Sequence, residues 1–206
     1  MMYTVTSAQP FDGSSIDGGA YLDVVDAAHH TPSWVDSLIS GYSTYGLALF
    51  AVLMLLGWWQ ARHQDTVRAV KALAAPVLTV VAFVVSTALK QVVHENRPCQ
   101  SLHVMTLEAC PAPGDWSFPS NHSALAAAAA VALWFVSARL GVIAAFGALA
   151  MAASRVWVGA HYPHDIIAGL IVGALVAASL ATLLARNAVT AAEVLGRGRL
   201  RPLIAS

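Results

Sequence analysis

Five long apolar runs restrict this chain to the folds that a lipid bilayer accepts. They cover residues 38–59, 72–93, 123–138, 140–158 and 166–185. A helix that crosses a bilayer needs roughly 17–25 apolar residues, and only the third run, which continues into a polar start, is shorter. Backbone groups inside a bilayer must bond to one another, which favours helices. We therefore predict an all-α integral membrane bundle with about five spanning helices.

The composition excludes an ordinary water-soluble domain. Hydrophobic residues make up 58% of the 206 residues and charged residues 11%, against roughly 25% charged residues in soluble domains. The formal net charge of zero gives no reason to expect nucleic acid as a partner. Residues 1–20 have neither a basic start nor an apolar core, so we expect membrane entry through the first internal run rather than through a signal peptide.

The chain divides into three segments by composition. Residues 1–37 are polar and contain no Lys or Arg, and the apolar residues from Tyr21 to Ala28 fall at helical spacing, which predicts a short interfacial helix. Residues 38–186 form the predicted membrane domain, and residues 187–206 form a basic tail. Gly169 and Gly173 lie four apart in the fifth run, a spacing that favours close helix packing within the monomer. The sequence makes no prediction of oligomeric state.

The basic residues predict the orientation of the bundle. Eight of the eleven Lys and Arg residues lie between runs one and two, between runs three and four, or in the tail. They are Arg62, Arg68, Lys71, Arg139, Arg186, Arg197, Arg199 and Arg201. With five spans these regions share one side, which the positive-inside rule makes cytoplasmic. We expect a multi-pass cell-membrane protein with a cytoplasmic C-terminus and an extracytoplasmic N-terminus.

The three remaining cations lie in polar clusters at the opposite ends of the runs. They are Lys90, Arg97 and Arg155. Charges beside a membrane segment are costly unless they are paired or functional, so these clusters predict a site. Three cations together need an anion, and arginine forks and lysine match the oxygens of a phosphate. Ser120 or Asn121 opens an alanine-rich helix, where free N–H groups can bind an anion, although Ser120 is equally suited to a plain N-cap.

Two histidines and an aspartate complete the chemistry of phosphoryl transfer. His161 and Asp165 lie four apart, so a carboxylate can fix the imidazole tautomer and leave the other nitrogen free to attack. His122, on another helix, can deliver a proton to a leaving group. The alternative for His161 and Asp165 is a structural hydrogen bond. We interpret His164 as a bystander.

Other polar residues between the runs suggest no further chemistry. His94, Glu95, His103 and Glu108 have the character of solvated loop residues, and three nearby cations disfavour a divalent metal. We expect no metal and no cofactor. Cys99 and Cys110 both lie between runs two and three, where a disulfide is expected if the loop faces an oxidising compartment, and two free thiols are expected otherwise.

These residues resemble the motifs of the type 2 phosphatidic acid phosphatase (PAP2) superfamily, K-x6-R-P, P-S-G-H and S-R-x5-H-x3-D. The sequence reads Lys90-x6-Arg97-Pro98, Pro119-Ser120-Asn121-His122 and Ser154-Arg155-x5-His161-x3-Asp165. The resemblance implies metal-independent hydrolysis through a phosphohistidine. It makes His161 the nucleophile, oriented by Asp165, and His122 the acid. It assigns phosphate binding to Lys90, Arg97, Ser120 and Arg155, with the main chain of Asn121.

The chain departs from the superfamily at two points. The superfamily bundle has six spanning helices against the five predicted here, and Asn121 stands where the pattern has glycine. The departure at Asn121 bears on the shape of the pocket and on substrate choice.

We predict a membrane lipid phosphatase with its site at the extracytoplasmic surface. The favoured substrate is a polyprenyl diphosphate, with phosphatidic acid and phosphatidylglycerol phosphate as alternatives. A lipid-phosphate transporter that does not hydrolyse, and a scaffold with a relic site, are the rivals from other classes.

Overall fold

The computed structural model describes residues 10–198 and 201–205. Within those ranges the chain forms nine helices and one isolated bridge, between Phe11 and Glu95. The helices are α1 (Ser14–His29), α2 (Ser33–Tyr45), α3 (Leu47–Arg62), α4 (Thr66–Val93), α5 (Pro98–Leu102), α6 (Asn121–Val136), α7 (Ala138–Trp157), α8 (Pro163–Arg197) and α9 (Arg201–Ile204).

Three described helices, α4, α7 and α8, are long and apolar enough to cross a bilayer alone. The first predicted run is a fourth candidate, but it is divided into α2 and α3, which meet at an angle of 55°. The fifth candidate, α6, has 16 residues, which rise about 24 Å against a hydrocarbon core of about 30 Å. A count of five spans therefore stays a prediction.

The break in the first run falls at Gly46, which sequence periodicity alone did not single out. A Cβ at this position would collide with the carbonyl oxygen of Tyr42 and with that residue's ring. The Tyr42 hydroxyl in turn donates to the carbonyl of Gly147 on α7, at 2.8 Å. Close contact of the chain with itself and with α7 therefore bends the run.

The short helix α6 occupies the centre of the bundle because its small side chains let its neighbours approach. Its alanines from Ala126 to Ala130 are buried, and it packs against α4, α7 and α8. Gly169 and Gly173 of α8 face α6, where a Cβ would collide with the carbonyl oxygens of Ser120 and Ala124. The predicted packing of this glycine pair within the monomer is confirmed.

One end of the bundle collects the loop between α3 and α4, the turn between α6 and α7, and the C-terminal part of α8. Ala61, Val136 and Ala192 share a buried cluster there with Ile204 of α9. Helix α8 ends at Arg197, so the fifth run, predicted to end at 185, was too short. Arg186 and Asn187 end the apolar run, yet the helix continues because Ala188 and Ala192 remain buried.

The other end of the bundle joins the C-terminal ends of α4 and α7 to the N-terminal ends of α6 and α8. Helix α1 lies against this end through Tyr21, Val25 and Ala28, which are buried. The Tyr21 hydroxyl donates to the carbonyl of Gly159, at 3.0 Å. The predicted helix in the N-terminal segment is present, and these apolar side chains pack on protein.

Candidate active site

Each of the three isolated cations is carried by a different element. Lys90 lies in the last turn of α4, Arg97 precedes α5, and Arg155 lies in the last turn of α7. Their exposed fractions are only 6%, 7% and 7%. Buried cations that meet from separate elements require compensating acceptors.

Main-chain carbonyls hold Lys90 and Arg97. The Lys90 ammonium donates to the carbonyls of Trp116 and Ser117, at 2.6 and 2.8 Å. The Arg97 guanidinium donates to the carbonyls of Asp115 and Ala160, at 3.0 and 2.9 Å. Its Nη2 also donates to the Asp115 carboxylate, at 2.9 Å. Both cations are therefore fixed in place by acceptors of the protein itself.

Arg155 is held by Glu108, a residue that sequence analysis assigned to a solvated loop. Arg155 Nη1 lies 2.9 Å from Glu108 Oε1. Ser43 of α2 receives a hydrogen bond from the same nitrogen and donates one to Glu108. The interpretation of Glu108 as merely solvated was wrong, because this carboxylate neutralises one of the three site cations.

His161 and Asp165 form the hydrogen-bonded pair that their spacing predicts. His161 Nδ1 lies 3.3 Å from Asp165 Oδ2, and the two residues are 2% and 0% exposed. The same oxygen accepts from the Ser117 hydroxyl, at 2.5 Å, and from the main-chain N–H of Tyr162, at 2.9 Å. Three donors on one oxygen fix the carboxylate and hence the plane of the imidazole.

The surroundings of His161 favour the neutral imidazole. Burial lowers the pKa of His161 well below its usual value, and the positive charges of Arg97, Lys90 and Arg155 lower it further. With the Nδ1 proton directed at Asp165, the lone pair lies on Nε2. Arg97 Nη1 lies 3.0 Å from this nitrogen. The geometry is that of a nucleophile oriented by a carboxylate and surrounded by cations.

Three residues at the start of α6 belong to the site: Ser120 caps the helix, Asn121 binds α4, and the imidazole of His122 lines the cavity described below. The Ser120 hydroxyl accepts from the N–H and hydroxyl of Ser123, so its contacts are those of an N-cap. Asn121 Oδ1 accepts from the Ser86 hydroxyl, at 2.6 Å, and its Nδ2 donates to Thr87, at 3.3 Å. The asparagine that replaces the pattern's glycine thus ties α6 to α4.

A cavity of about 310 Å³ lies where these elements meet. Six of the eight predicted site residues line it, while Ser120 and Asp165 do not. The lining residues are Phe83, Lys90, Arg97, Pro111, Asp115, Asn121, His122, Leu125, Arg155 and His161. The volume and the charges of this cavity suit a phosphoryl group. The individual roles of the predicted residues stay predictions.

Sequence reasoning missed a second group beside the site. Glu95 is 1% exposed, so its interpretation as a solvated loop residue was wrong. His164 contacts both Glu95 and Asp17, so it is not a bystander. Glu95, His164 and Asp165 bring oxygen and nitrogen atoms within 4.8 Å of one another, close enough to share one cation. The available signal was that Glu95 and His164 lie at variable positions inside the first and third motifs.

Cys99 and Cys110 are joined in a disulfide. The bond closes a loop that includes Glu108, the partner of Arg155. The connection follows the bonded alternative of the sequence analysis, and it links α5 to the segment that borders the cavity at Pro111.

The fold and the site together define a class of protein, a helical membrane bundle that presents an oriented imidazole and three cations to one cavity. The sequence profile of the PAP2 superfamily matches residues 71–188. The chain belongs to this superfamily, as its motifs predict. The predictions of a membrane-embedded helical fold and of a PAP2-type phosphatase that acts on lipid phosphates are confirmed.

Named relatives come from bacteria and archaea. The undecaprenyl-diphosphatase BcrC of Bacillus subtilis (strain 168) is 30% identical over 149 residues, which cover 72% of this chain and 74% of that protein. An undecaprenyl-diphosphatase of Sulfolobus acidocaldarius is 34% identical over 95 residues, 46% of each chain.

A solved structure supports the fold. The transmembrane PAP2-type phosphatidylglycerolphosphate phosphatase from Bacillus subtilis superposes with a TM-score of 0.56 at 18% identity. The superposition covers 82% of this chain and 86% of that one. At this identity the similarity establishes the common fold.

Proposed function

We propose that this chain hydrolyses the terminal phosphate of a polyprenyl diphosphate through a phosphohistidine on His161. One observation carries the proposal. The His161 imidazole has a carboxylate 3.3 Å from Nδ1, and its Nε2 lies at a cavity that Lys90, Arg97 and Arg155 also line. Phosphoryl transfer depends mainly on positioning and on charge stabilisation, and this arrangement supplies both.

Substrate binding begins with an exchange of hydrogen bonds at Arg97. This guanidinium lies 3.0 Å from His161 Nε2 and also donates to the Asp115 carboxylate. A terminal phosphate in the cavity offers charged oxygens that compete for Arg97, Lys90 and Arg155. Once Arg97 turns to the phosphate, the lone pair on Nε2 is free to attack.

The first chemical step transfers the phosphoryl group to His161. Nε2 forms a bond to the terminal phosphorus, while the bond from phosphorus to the bridging oxygen breaks. His122, which lines the same cavity, donates a proton to the leaving lipid monophosphate. Asp165 accepts the hydrogen bond from Nδ1–H and stabilises the positive charge that develops on the ring.

The second step releases inorganic phosphate. His122, now neutral, takes a proton from a water molecule whose oxygen attacks the phosphorus of the phosphohistidine. The bond from phosphorus to Nε2 breaks, and the imidazole regains its lone pair. Over both steps one diphosphate and one water give a lipid monophosphate and inorganic phosphate. Neither step calls for a metal or another cofactor.

The substrate class rests on two supports. Both relatives described above are named undecaprenyl-diphosphatases, and B. subtilis BcrC aligns over most of each chain. The cavity also has an apolar side, since Phe83 and Leu125 line it beside the cations. A lipid whose phosphate meets the cations and whose tail stays among apolar side chains fits this division.

We further propose that the site faces the extracytoplasmic side of the membrane. The basic residues at the end of α3, in the first turns of α4 and at the start of α7 belong to the end of the bundle opposite the site. They are Arg62, Arg68, Lys71 and Arg139. The positive-inside rule makes that end cytoplasmic. The disulfide between Cys99 and Cys110 suits an oxidising compartment beside the site. The N-terminus is then extracytoplasmic and the C-terminus cytoplasmic.

Phosphate release by the purified protein tests the proposed function. Undecaprenyl diphosphate, phosphatidic acid, phosphatidylglycerol phosphate and lysophosphatidate are compared in detergent with excess chelator. We expect the highest kcat/KM for the diphosphate, and we expect the His161→Ala variant to lose about 10⁴-fold or more in kcat, as variants lacking a nucleophile do.

Four results would contradict the proposal. A preference for phosphatidic acid or phosphatidylglycerol phosphate would reassign the substrate. Binding of lipid phosphates without phosphate release would favour a transporter, and loss of activity in chelator would show a metal. Near wild-type turnover of a folded His161→Ala protein would remove the phosphohistidine.

A further inference from the structure

The N-terminal segment contacts the first and third motifs directly and is linked to the second through Glu95, although the family match begins only at residue 71. Phe11 exchanges main-chain hydrogen bonds with His94 and Asn96, within the first motif, at 3.0 and 2.9 Å. Tyr21 donates to the carbonyl of Gly159, within the third. A Cβ on Gly13 would collide with the Glu95 carboxylate, and Glu95 accepts at its carbonyl from Ser117, beside the second.

His164 stands at the centre of this junction with a carboxylate on each ring nitrogen. Its Nδ1 lies 2.7 Å from Asp17 Oδ1, and its Nε2 lies 2.9 Å from Glu95 Oε1. Its main-chain N–H also donates to Asp17. A neutral imidazole has one N–H and would turn a lone pair toward one carboxylate, whereas an imidazolium donates to both. The geometry therefore calls for a positively charged His164.

The ring of His164 is held by aromatic neighbours as well. It stacks on Tyr162 with centroids 5.3 Å apart and an interplanar angle of 15°. Phe118 lies at 6.0 Å and 29°. A planar cation stacked against aromatic faces is favoured electrostatically. These contacts fix where the charge lies relative to Asp165.

The charge on His164 compensates two buried carboxylates. Asp165 Oδ1 and Glu95 Oε2 have no hydrogen-bond partner among the described residues. His164 Nε2 lies 3.6 Å from Asp165 Oδ1, while Asp165 Oδ2 faces His161. Two buried carboxylates in one site cannot both stay ionised without a nearby cation.

We infer that His164, held by Asp17 of α1 and by Glu95, is a positioning residue that keeps Asp165 ionised and thereby keeps the His161 imidazole oriented for attack. The inference rests on the proposed function of His161. An Asp165 protonated on Oδ1 would offer Nδ1–H only a neutral oxygen, whose hydrogen bond is weaker than that of a carboxylate, and the tautomer and orientation of the ring would be less firmly held. The N-terminal helix is then a working part of the site.

Other charged groups around the cluster come from three helices and two loops. Asp17 belongs to α1, Lys90 to α4, and Asp165 to α8, while Glu95, Arg97 and His161 lie in loops. Lys90 and Arg97 bind carbonyls and Asp115, so His164 is the cation in direct contact with both Glu95 and Asp165.

Variants at His164 test the inference by kinetics. We expect His164→Gln, which keeps the shape but carries no charge, to lower kcat about 100-fold, as a misplaced catalytic group does, with little change in KM. The effect of substrate ionisation cancels in the ratio of the variant kcat to the wild-type kcat. This ratio should fall further as the pH is lowered, because Asp165 takes up a proton more readily without the charge of His164. Asp17→Asn should give a smaller loss of the same kind, and His29→Gln, at the exposed end of α1, should match wild type.

A spectroscopic measurement keeps the inference separate from the proposed function. In protein labelled with ¹⁵N-histidine, we expect His164 to show two protonated ring nitrogens at pH 7, and His161 to show the Nδ1–H tautomer, which His164→Gln disturbs. This readout needs no turnover. Thermal unfolding checks that each variant is folded.

Several outcomes would overturn the inference. A neutral His164 at pH 7 would do so whatever the substrate proves to be. A His164→Gln protein with wild-type kcat would do so while leaving the phosphatase proposal intact. Activity that is lost in chelator and restored by a divalent ion would show that a metal compensates Glu95 and Asp165 instead of a proton.

Discussion

The two arginines that line the cavity already form ion pairs, Arg97 with Asp115 and Arg155 with Glu108. Each carboxylate oxygen lies 2.9 Å from a guanidinium nitrogen. The arginines are therefore held near the geometry that a phosphate needs, and they need less ordering when substrate arrives. A bound phosphate must displace these carboxylates or share the arginines with them. This requirement favours a phosphate group with more than one negative charge.

The charge state of His161 leads to a prediction about pH. Because burial and three cations hold its pKa well below the usual value, the imidazole stays neutral, and the nucleophile stays competent, below pH 6.5. We expect the ¹⁵N shifts of His161 to remain those of a neutral ring from pH 8 down to pH 5.5. The rate should be bell-shaped overall, because His122 must carry a proton in the first step. Burial and the charge of Arg155 lower the pKa of His122 to about 4, so the negative charge of the bound phosphate must raise this pKa before His122 can act as the acid.

Protonation of His161 with a midpoint near 6.5 would contradict this prediction, since it would place the ring in a solvated, uncharged environment. Substrate ionisation does not affect the measurement, because it follows the free protein.

Asn121 offers a second prediction at the residue scale. The Asn121→Gly variant restores the pattern of the superfamily but removes the hydrogen bonds to Ser86 and Thr87. At about 0.5–1.5 kcal/mol for each bond, we expect a lower free energy of unfolding by about 1–3 kcal/mol. We expect kcat to stay within a few-fold of wild type and KM to change, because the side chain lines the cavity and performs no chemistry.

Ser86→Ala is the matched control for Asn121. It removes one partner of the same amide, so the double variant should be less destabilised than the sum of the single variants. Strict additivity, measured by thermal or denaturant unfolding, would show that the contact between α4 and α6 contributes no stability.

Single residues differ in how far the sequence could reveal them. His161 and Asp165 were predictable because their spacing and the fixed motifs define a pair. Ser117, Glu108 and Glu95 were not, since a buried acceptor or counter-charge has no periodic signature and depends on which loops meet. The acidic partners were therefore assigned to solvent, although each of them balances a charge at the site.

At the scale of elements, the approach of α8 to α6 depends on two glycines. A methyl group at Gly173 would collide with the carbonyl oxygen of Ala124, and main-chain atoms cannot turn aside. We expect Gly173→Ala to lower the free energy of unfolding by about 1–3 kcal/mol, as overpacking does. The variant should also lose activity, because α6 and α8 carry His122 and Asp165. Thermal unfolding and phosphate release measure the two effects.

Gly41→Ala provides the control, because an added Cβ there meets nothing within 4 Å. It should be neutral or stabilising, since alanine favours a helix over glycine by about 1 kcal/mol. Equal behaviour of the two variants would show that α6 and α8 are not closely packed at Gly173.

Apolar periodicity predicted where the helices lie but not how they bend or end. The runs gave α4 and α7 nearly whole, because their hydropathy and their helical geometry stop together. The bend at Gly46 follows from two contacts. The contact with Tyr42 depends on the rotamer of that side chain, and the contact of Tyr42 with α7 joins residues that are distant in sequence. The extension of α8 beyond residue 185 follows from the burial of Ala192 in a cluster with Ile204 of α9.

At the scale of the whole molecule, the proposed orientation predicts which thiols are reachable from outside the cell. We expect a membrane-impermeant maleimide to label Cys99 and Cys110 on intact cells only after mild reduction. A Gln64→Cys substitution in the loop between α3 and α4, with both native cysteines replaced by serine, should be labelled only after permeabilisation. Gel shift after each treatment measures the labelling.

The reverse pattern would place the site in the cytoplasm. It would leave the hydrolytic chemistry unaffected, because none of the contacts around His161 depends on which side of the membrane it faces. The division of the chain at residues 37 and 186 stays a prediction, although α2 crosses the first boundary and α8 the second, each as one helix.

The contact between Arg97 and His161 Nε2 has a consequence for an enzyme that is surrounded by membrane lipids, most of which also carry phosphate groups. Most surrounding headgroups are phosphodiesters with a single negative charge, too weak to draw the guanidinium off the ring. In the proposed mechanism, Arg97 therefore stays on Nε2 until a more highly charged phosphate binds, even though phosphodiesters are in large excess. Phosphatidylglycerol vesicles should consequently leave turnover unchanged, and strong inhibition by them would show that Arg97 leaves Nε2 too readily.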